Sequence, residues 1–320
     1  MVTTPEDLRI LWDVGRVAEW ESLLKAVPRS TLTQCFGYAV AMRTVEGWTP
    51  RLGLIELADK PIGLVVVMEK RAFGLARVAR LHRGPLLLPA AQKPAILALV
   101  MKQLRQRYPT GPLRWTAIVP ELPDTEENRA LLRWAGWRQD KGPGYRTLWL
   151  DLRPDEATLR KALAQKWRNA LSQAERSGLA VEVDRDGSSQ LSWLTEHYLK
   201  DRAAKGFRGP SAPLLTRLRT ALHRDGDILL LRACKDGEPV AGVLFLGHGQ
   251  AATYQVGWTG AEGRRTRAHN LLLWRAILEL KAQGRTQLDL GGLLPDQAPG
   301  VTAFKRGVGG EEVELLGVWR

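Results

Sequence analysis

Residues 237–246 read GEPVAGVLFL, and residues 59–68 read DKPIGLVVVM. Each stretch carries a charge and a proline, then a small residue, then an apolar run the length of one strand. Neither run approaches the roughly 20 residues that a bilayer-spanning helix needs. Each is preceded by another strand pattern, RLGLIEL in one case and DILLLRACK in the other, so each is the second arm of a hairpin. The turns fall at Asp59-Lys60-Pro61 and at Asp236-Gly237. After each stretch come a further strand, a helix of 3.6-residue periodicity (AAQKPAILALVMKQLRQRY and TRAHNLLLWRAILELKAQG) and a final strand (LRWTAIV and TQLDLGG). Two copies of helix–helix–meander–helix–strand imply an α+β chain built as a tandem duplication. The boundary falls near Leu150 to Asp155, which gives domains 1–150 and 151–320. A length of 320 residues suits about two domains.

Charge narrows the classes of partner. There are 47 Lys+Arg against 34 Asp+Glu, a net charge of +13, and the pI is near 10.1. A surface of this sign favours polyanions: RNA, nucleotides or an anionic membrane face. Two cysteines, Cys35 and Cys234, cannot build a disulfide framework and fit a reducing compartment. No Cys/His spacing reads as a zinc site, and no metal is expected. The segment MVTTPEDLRILWDV has early acids and no apolar core, unlike a signal peptide. The expected location is cytoplasmic, with lipid met only from the surface.

There is no Walker loop, no GxGxxG after a strand, no HExxH and no GxSxG. The two cysteines sit in apolar surroundings and read as core. The chemistry is therefore positional and electrostatic, acting between two bound substrates. Five places are candidates. In QKWRNALSQAER, Lys166, Arg168 and Asn169 flank the apolar stripe Leu159, Leu163, Trp167, Ala170, Ala174 of a single helix running from Asp155 to Gly178. They are either a solvated face or a ligand-binding one. In TYQVGW, Tyr254 is either core or the donor that orients a substrate carbonyl. In EGRRTRAHN, Arg264 and Arg265 precede a helix N-terminus and read as an anion site or a solvated loop. In LDLGG, Asp289 alternates with Leu288 and Leu290; it is a base, an orienting acid or a cap for the next turn. In GVTAFKRGVGG, 300–310, Phe304, Lys305 and Arg306 stand among four glycines, which reads as a surface turn with solvated charges or as a loop that receives a phosphate or carboxylate.

Taken in order, KWRNALSQAERSGLAVEV, TYQVGW, HNLLLWRAI, LDLGG and FKRGVGG resemble the second half of FemX/FemAB-type transferases. STLTQCFGYAVAM and HRGPLLL are similar to that family's early Gln-containing helix and Gly-Pro strand. The resemblance implies two tandem GNAT-like domains, each a mixed, mainly antiparallel sheet flanked by helices. It implies a bacterial cell-wall enzyme that moves an amino acid from aminoacyl-tRNA to an amine of a UDP- or lipid-linked muropeptide, without a cofactor. By the same resemblance Phe304 and Lys305 match the pair near the donor, and Arg168 and Tyr254 match acceptor-holding positions. The acceptor residues of the first half have no match, and a peripheral contact with the inner membrane face is a further expectation. The chain departs from some members in lacking a long helical arm, and in stopping at Arg320 directly after the last strand with no tail returning to the first domain. EGRRTRAHN also lacks the paired glycines of a GNAT pyrophosphate loop. Two alternatives stand: an N-acyltransferase using acyl-CoA or an acyl-carrier protein, and a non-catalytic protein that binds RNA or an anionic surface.

Overall fold

The computed structural model describes residues 7–72, 74–142, 144–222 and 226–320. The chain divides into two compact units: residues 1–146 with 313–320, and residues 147–312.

Unit 1 opens with β1 (Leu8–Trp12), a strand that the N-terminal reading did not assign, followed by helices α1 (Val17–Ala26) and α2 (Phe36–Glu46). Then come the meander β2 (Thr49–Leu57), β3 (Lys60–Ala72) and β4 (Ala76–Gly84), the short β5 (Leu86–Leu87), helix α3 (Pro94–Arg107), β6 (Arg114–Pro120) and α4 (Glu126–Trp134). The sheet order is β1-β2-β3-β4-β6, with β5 paired to β3. The β2–β3 turn lies one residue earlier than the proline suggests. Ala58 and Asp59 form it with φ of 47° and 60°, the handedness a two-residue hairpin turn demands.

The early glutamine has a definite structural task. Gln34 is buried, and its amide accepts from Val66 N (2.7 Å) and donates to His82 O (2.9 Å). It bridges β3 and β4 where their direct ladder has ended. A Cβ on Gly84 would lie 2.6 Å from that amide, so only glycine fits beside it.

Unit 2 begins with β7 (Arg146–Asp151), which pairs antiparallel with a strand near the end of the chain. The long helix expected after Asp155 is two helices, α5 (Glu156–Ala162) and α6 (Gln165–Glu175). Asp155 caps the first, accepting from Thr158 N at 2.7 Å. The break has a cause: Leu163 and Ala164 are extended, and Ala164 N donates to Gly307 O. Next come β8 (Leu179–Asp184), also unassigned from sequence, α7 (Leu191–Lys205) and α8 (Ala212–Leu222). The second meander follows as β9 (Ile228–Lys235), β10 (Glu238–His248) and β11 (Ala251–Thr259), then α9 (Ala261–Arg265), α10 (Ala268–Ala282), β12 (Gln287–Gly292), α11 (Pro299–Arg306) and β13 (Glu311–Glu314). The sheet order is β13-β7-β12-β11-β10-β9-β8. Its core joins Leu229, Leu231, Val243 and Phe245 to Leu272, Leu273, Ala276 and Ile277 of α10.

The two units repeat one chain order, as the echoed stretches imply. In each a hairpin leads to a third strand, a crossover helix and a strand parallel to the third: β4 with β6, and β11 with β12. The chain's last segment departs from the expectation. The strand expected over EEVELLGVWR stops at Glu314, and the residues after it join unit 1. Trp319 exchanges backbone hydrogen bonds with Ile118 of β6 (2.8 and 2.9 Å) and is 0% exposed in the unit 1 core. A returning tail is therefore present. Alternating apolar residues pointed to one strand, but Leu316 and Trp319 fill the unit 1 core.

Trp319→Ala removes a fully buried indole from unit 1. It is expected to cost about 3–5 kcal/mol, read as an earlier urea midpoint by tryptophan fluorescence. An unchanged midpoint would place the tail outside the folded core.

Candidate functional site

The strands β11 and β12 run parallel for three residue pairs only, from Ala251↔Gln287 to Thr253↔Asp289, and then part. β11 is also irregular here. Tyr254 lies opposite Phe245 and Val256 opposite Leu244, so Gln255 is an extra residue. A bulge re-aims its neighbours, and Tyr254 sits at the point where the strands separate.

The stretch 300–310 is not the bare loop its glycines suggest. Residues Pro299–Arg306 are helix α11, with proline in its first turn. The glycines beyond it answer close approaches. A Cβ on Gly307 would lie 2.6 Å from the Trp167 ring, one on Gly309 2.5 Å from Ala162 O, and one on Gly310 2.5 Å from Trp149 O. Successive helical side chains diverge by about 100°, so the adjacent cations separate. Lys305 is 9% exposed, whereas Arg306 is exposed and forms a bidentate pair with Glu312 (2.7 and 2.8 Å).

Lys305 reaches the gap. Its Nζ donates to Gly292 O at 2.8 Å and lies 5.7 Å from the centre of the Tyr254 ring. Burial pulls its pKa down to about 8, against the opposing pull of the Asp289 carboxylate. Asp289 itself is 0% exposed and accepts from Gly291 N (2.8 Å) and from the Thr147 hydroxyl. It caps the turn after β12 and supports the cation from behind. The Asp289 carboxylate is thus enclosed and next to the Lys305 ammonium.

Tyr254 is tied into a chain that the sequence reading missed. Its hydroxyl lies 2.9 Å from His269 Nε2, and His269 Nδ1 lies 2.9 Å from Thr259 Oγ1. Burial pushes the Tyr254 pKa above its ordinary value and pulls that of His269 down to about 4. The phenol is therefore protonated and the imidazole neutral at physiological pH. The arrangement that satisfies all three groups has Tyr254 donating to Nε2 and Nδ1–H donating to Thr259. Gly257 makes room for it: a Cβ there would lie 2.1 Å from the Tyr254 hydroxyl. A glycine three residues after a strand tyrosine was the available signal, since glycine weakens a strand interior. The His269 ring meets Phe304 edge-on at 5.4 Å, and Phe304 packs on Trp167 at 5.8 Å. Trp167 Nε1 donates to Phe304 O (3.1 Å), fastening α11. A cavity of about 400 Å³, lined by Pro295, Pro299, Thr302 and Arg306 among others, borders the same helix.

The remaining candidates are engaged elsewhere. Arg168 donates to Lys161 O at 2.8 Å and to Leu163 O, closing the carbonyl end of α5. Asn169 accepts from Gln165, and Lys166 is exposed. Arg264 donates to Thr259 O, and Arg265 forms a bidentate pair with Glu262 (2.6 and 2.8 Å). Neither is an unpartnered arginine at the start of α10. Lys305, Phe304, Tyr254 and Asp289 are thus brought together, whereas Arg168, Lys166, Asn169, Arg264, Arg265 and Arg306 make none of the polar or ring contacts of that cluster. Among the described residues no group of three or more His, Cys, Asp or Glu side chains gathers as a metal set, and no helix is long and apolar enough to cross a membrane.

Residues 157–306 match the family model for an acetyltransferase (GNAT) domain. Over the whole chain the structure is similar to that of FemX, with a TM-score of 0.78 at 16% identity over 97% of this chain and 96% of FemX. The chain has the fold of two tandem GNAT-like units, as FemX does. A tandem GNAT protein from the clavulanic acid biosynthesis pathway, solved without AcCoA, has a TM-score of 0.53 at 16% identity, covering 98% of this chain and 97% of its own. L-PGS from Bacillus licheniformis has 0.55 at 12% identity, covering 96% and 90%. Identities this low establish the fold alone. Among curated proteins, the 33 kDa chaperonin of Deinococcus radiodurans is 27% identical over 154 residues, 46% of this chain. The chain spans half the length of that relative.

A lysine whose pKa falls from 10.5 to about 8 on folding binds its proton more weakly in the native state. Between those pH values the unfolded chain holds the extra proton, so native stability rises with pH. The stability of the wild type relative to Lys305→Met is expected to improve by about 2 kcal/mol between pH 7.5 and pH 10. Urea unfolding of both proteins at the two pH values measures it, and a constant difference would place Lys305 in open solvent.

Proposed function

We propose that unit 2 transfers an acyl group to an amine by direct aminolysis, with Lys305 as the electrostatic catalyst. The observation that carries this reading is one buried ammonium beside the gap between β11 and β12, where a carbonyl can enter and a nucleophilic side chain is not required. The substrate amine forms the new C–N bond, the carbonyl oxygen gains charge, and the C–O bond of the ester breaks. The proton lost by the amine ends on the departing hydroxyl. An ammonium held in a low-dielectric pocket stabilises the developing oxyanion without reorganising. The Tyr254 phenol donates to His269, which leaves its oxygen lone pairs available to orient the attacking N–H. Both cysteines are buried, Cys35 capping α2 and Cys234 beside Glu182, which argues against a thioester intermediate.

The finer reading is that the donor is an aminoacyl-tRNA and the acceptor an amine of a UDP- or lipid-linked peptidoglycan precursor, handled in the cytoplasm at or near the inner membrane face. The fold shared with FemX, the ordered motifs and the net charge of +13 support it. An acyl-CoA donor is the second reading, favoured by the acetyltransferase (GNAT) family match. Here Thr259, Ala261 and Glu262 occupy the segment before α10, with Glu262 closing on Arg265. A carboxylate beside that segment opposes a pyrophosphate and weighs against CoA.

The test is a donor screen with radiolabelled aminoacyl-tRNAs and, separately, acyl-CoAs, each supplied with a UDP-linked muropeptide. Transfer from tRNA is expected, with Lys305→Ala slower by about 10²–10³-fold and Tyr254→Phe slower by about tenfold. Because Lys305 acts protonated, the wild-type rate is expected to fall as pH rises through about 8. Transfer only from CoA would replace the donor. A rate that rises through pH 8, or an unaffected Lys305→Ala, would remove the lysine from the chemistry.

A further inference from the structure

A second cavity lies in unit 1. It has a volume of about 610 Å³ and borders the parallel strands β4 and β6. Five arginines line it, Arg80, Arg105, Arg114, Arg138 and Arg320, together with Trp115; none of its lining residues is acidic. An adjoining cavity of about 180 Å³ shares Arg114 and adds Arg77 and Arg107, again with no acid.

Some arginines elsewhere meet carboxylates, as Arg153 meets Asp151, Arg160 meets Glu175 and Arg306 meets Glu312. Around the cavity only Arg320 does so, with Asp140 at 2.7 Å. Among the described residues Arg77, Arg80, Arg107, Arg114 and Arg138 form no ion pair. Gathering like charges costs energy that solvent alone does not remove. Burial and the Arg138 charge both work against the Arg105 cation. Arg105 is nonetheless pinned, donating to Gly136 O (3.0 Å) and to the Thr110 hydroxyl (2.9 Å). Arg80 lies over Trp48 at 5.0 Å and Arg107 over Trp12 at 4.5 Å. Held guanidinium forks suit phosphate oxygens. Trp115 is a large apolar side chain on the cavity wall yet 53% exposed, and an open indole face takes a nucleobase. The volume lies in the range of small-ligand sites, roughly 300–1,000 Å³.

We propose that this cavity is a nucleotide-binding site, with phosphates held by the arginines, Arg114 and Arg138 foremost, and a base stacked on Trp115. It stands on unit 1 alone, whatever group unit 2 transfers. The ligand is a free nucleotide or a nucleotide segment of single-stranded RNA, which share this chemistry.

Binding to the full chain is measured with three probes: ADP, inorganic pyrophosphate and a short single-stranded oligoadenylate. The substituted side chains are exposed, and circular dichroism checks that each variant is folded. All three probes are expected to bind the wild type. The double variant Arg114→Gln/Arg138→Gln is expected to weaken all of them by at least about tenfold and to flatten the salt dependence. Trp115→Ala is expected to weaken ADP and oligoadenylate by about tenfold and to leave pyrophosphate unchanged. An oligonucleotide much tighter than ADP identifies RNA as the source; equal affinities identify the free nucleotide. Absence of binding, equal affinities for wild type and double variant, or a Trp115→Ala variant that binds ADP normally would each overturn the proposal.

Discussion

Unit 2 depends on a cation that must be kept out of water without losing its charge. An ammonium buried with a single backbone acceptor would shed its proton, and Lys305 is already drawn down to about 8. Two things keep it charged: the carbonyl of Gly292, where β12 still pairs with β7 but no longer with β11, and the Asp289 carboxylate behind it. Both depend on β11 and β12 parting after three pairs. The parting in turn follows from the extra residue in β11, which spoils the register needed to continue. The bulge, the gap, the Gly292 carbonyl and the retained charge form one causal sequence.

α11 shows how tightly that cation is placed. Trp167 anchors the Phe304 carbonyl, and Gly307, Gly309 and Gly310 let the following backbone pass against a ring and two carbonyls. The residues that look like ligand-binding slack in the sequence are therefore packing devices. Their effect is to hold α11, and with it Lys305, in one close-packed place.

The chain order of both units was legible because it rests on local periodicity and on paired turns, Ala58-Asp59 and Asp236-Gly237, both with positive φ. Lys305, Phe304 and Tyr254 were legible as an ordered set of motifs. The misreadings share a cause. Counting glycines made α11 a loop, although Pro299 and Gly307 mark a helix start and stop. Alternation set Asp289 apart from its leucines, but β12 is an inner strand of its sheet, and facing away from Leu288 still led to burial. Arg168 lay on the right helix, yet the break at Leu163–Ala164 gave it carbonyls to close. His269 pairs across fifteen residues of chain, a separation that local pattern does not encode. The tail beyond Glu314 reads as a strand and is one only in part, because its apolar residues answer to the core of unit 1.

The duplicated order invites the view that both units do the same work, and their parallel pairs argue otherwise. In unit 1, β4 and β6 stay paired from Arg77↔Arg114 to Gly84↔Pro120, seven pairs with one late shift. Among the described residues the pairing is continuous along β4, and none of the buried side chains of unit 1 is a lysine. What unit 1 has along the same strands is an open wall of arginines, of which Arg320 alone forms an ion pair among the described residues, and an exposed indole. A continuous ladder offers a surface, and an interrupted one offers a pocket with fixed dipoles inside it. On that ground the two copies differ at the strand pair itself: it is interrupted after three pairs in unit 2 and continuous over seven in unit 1.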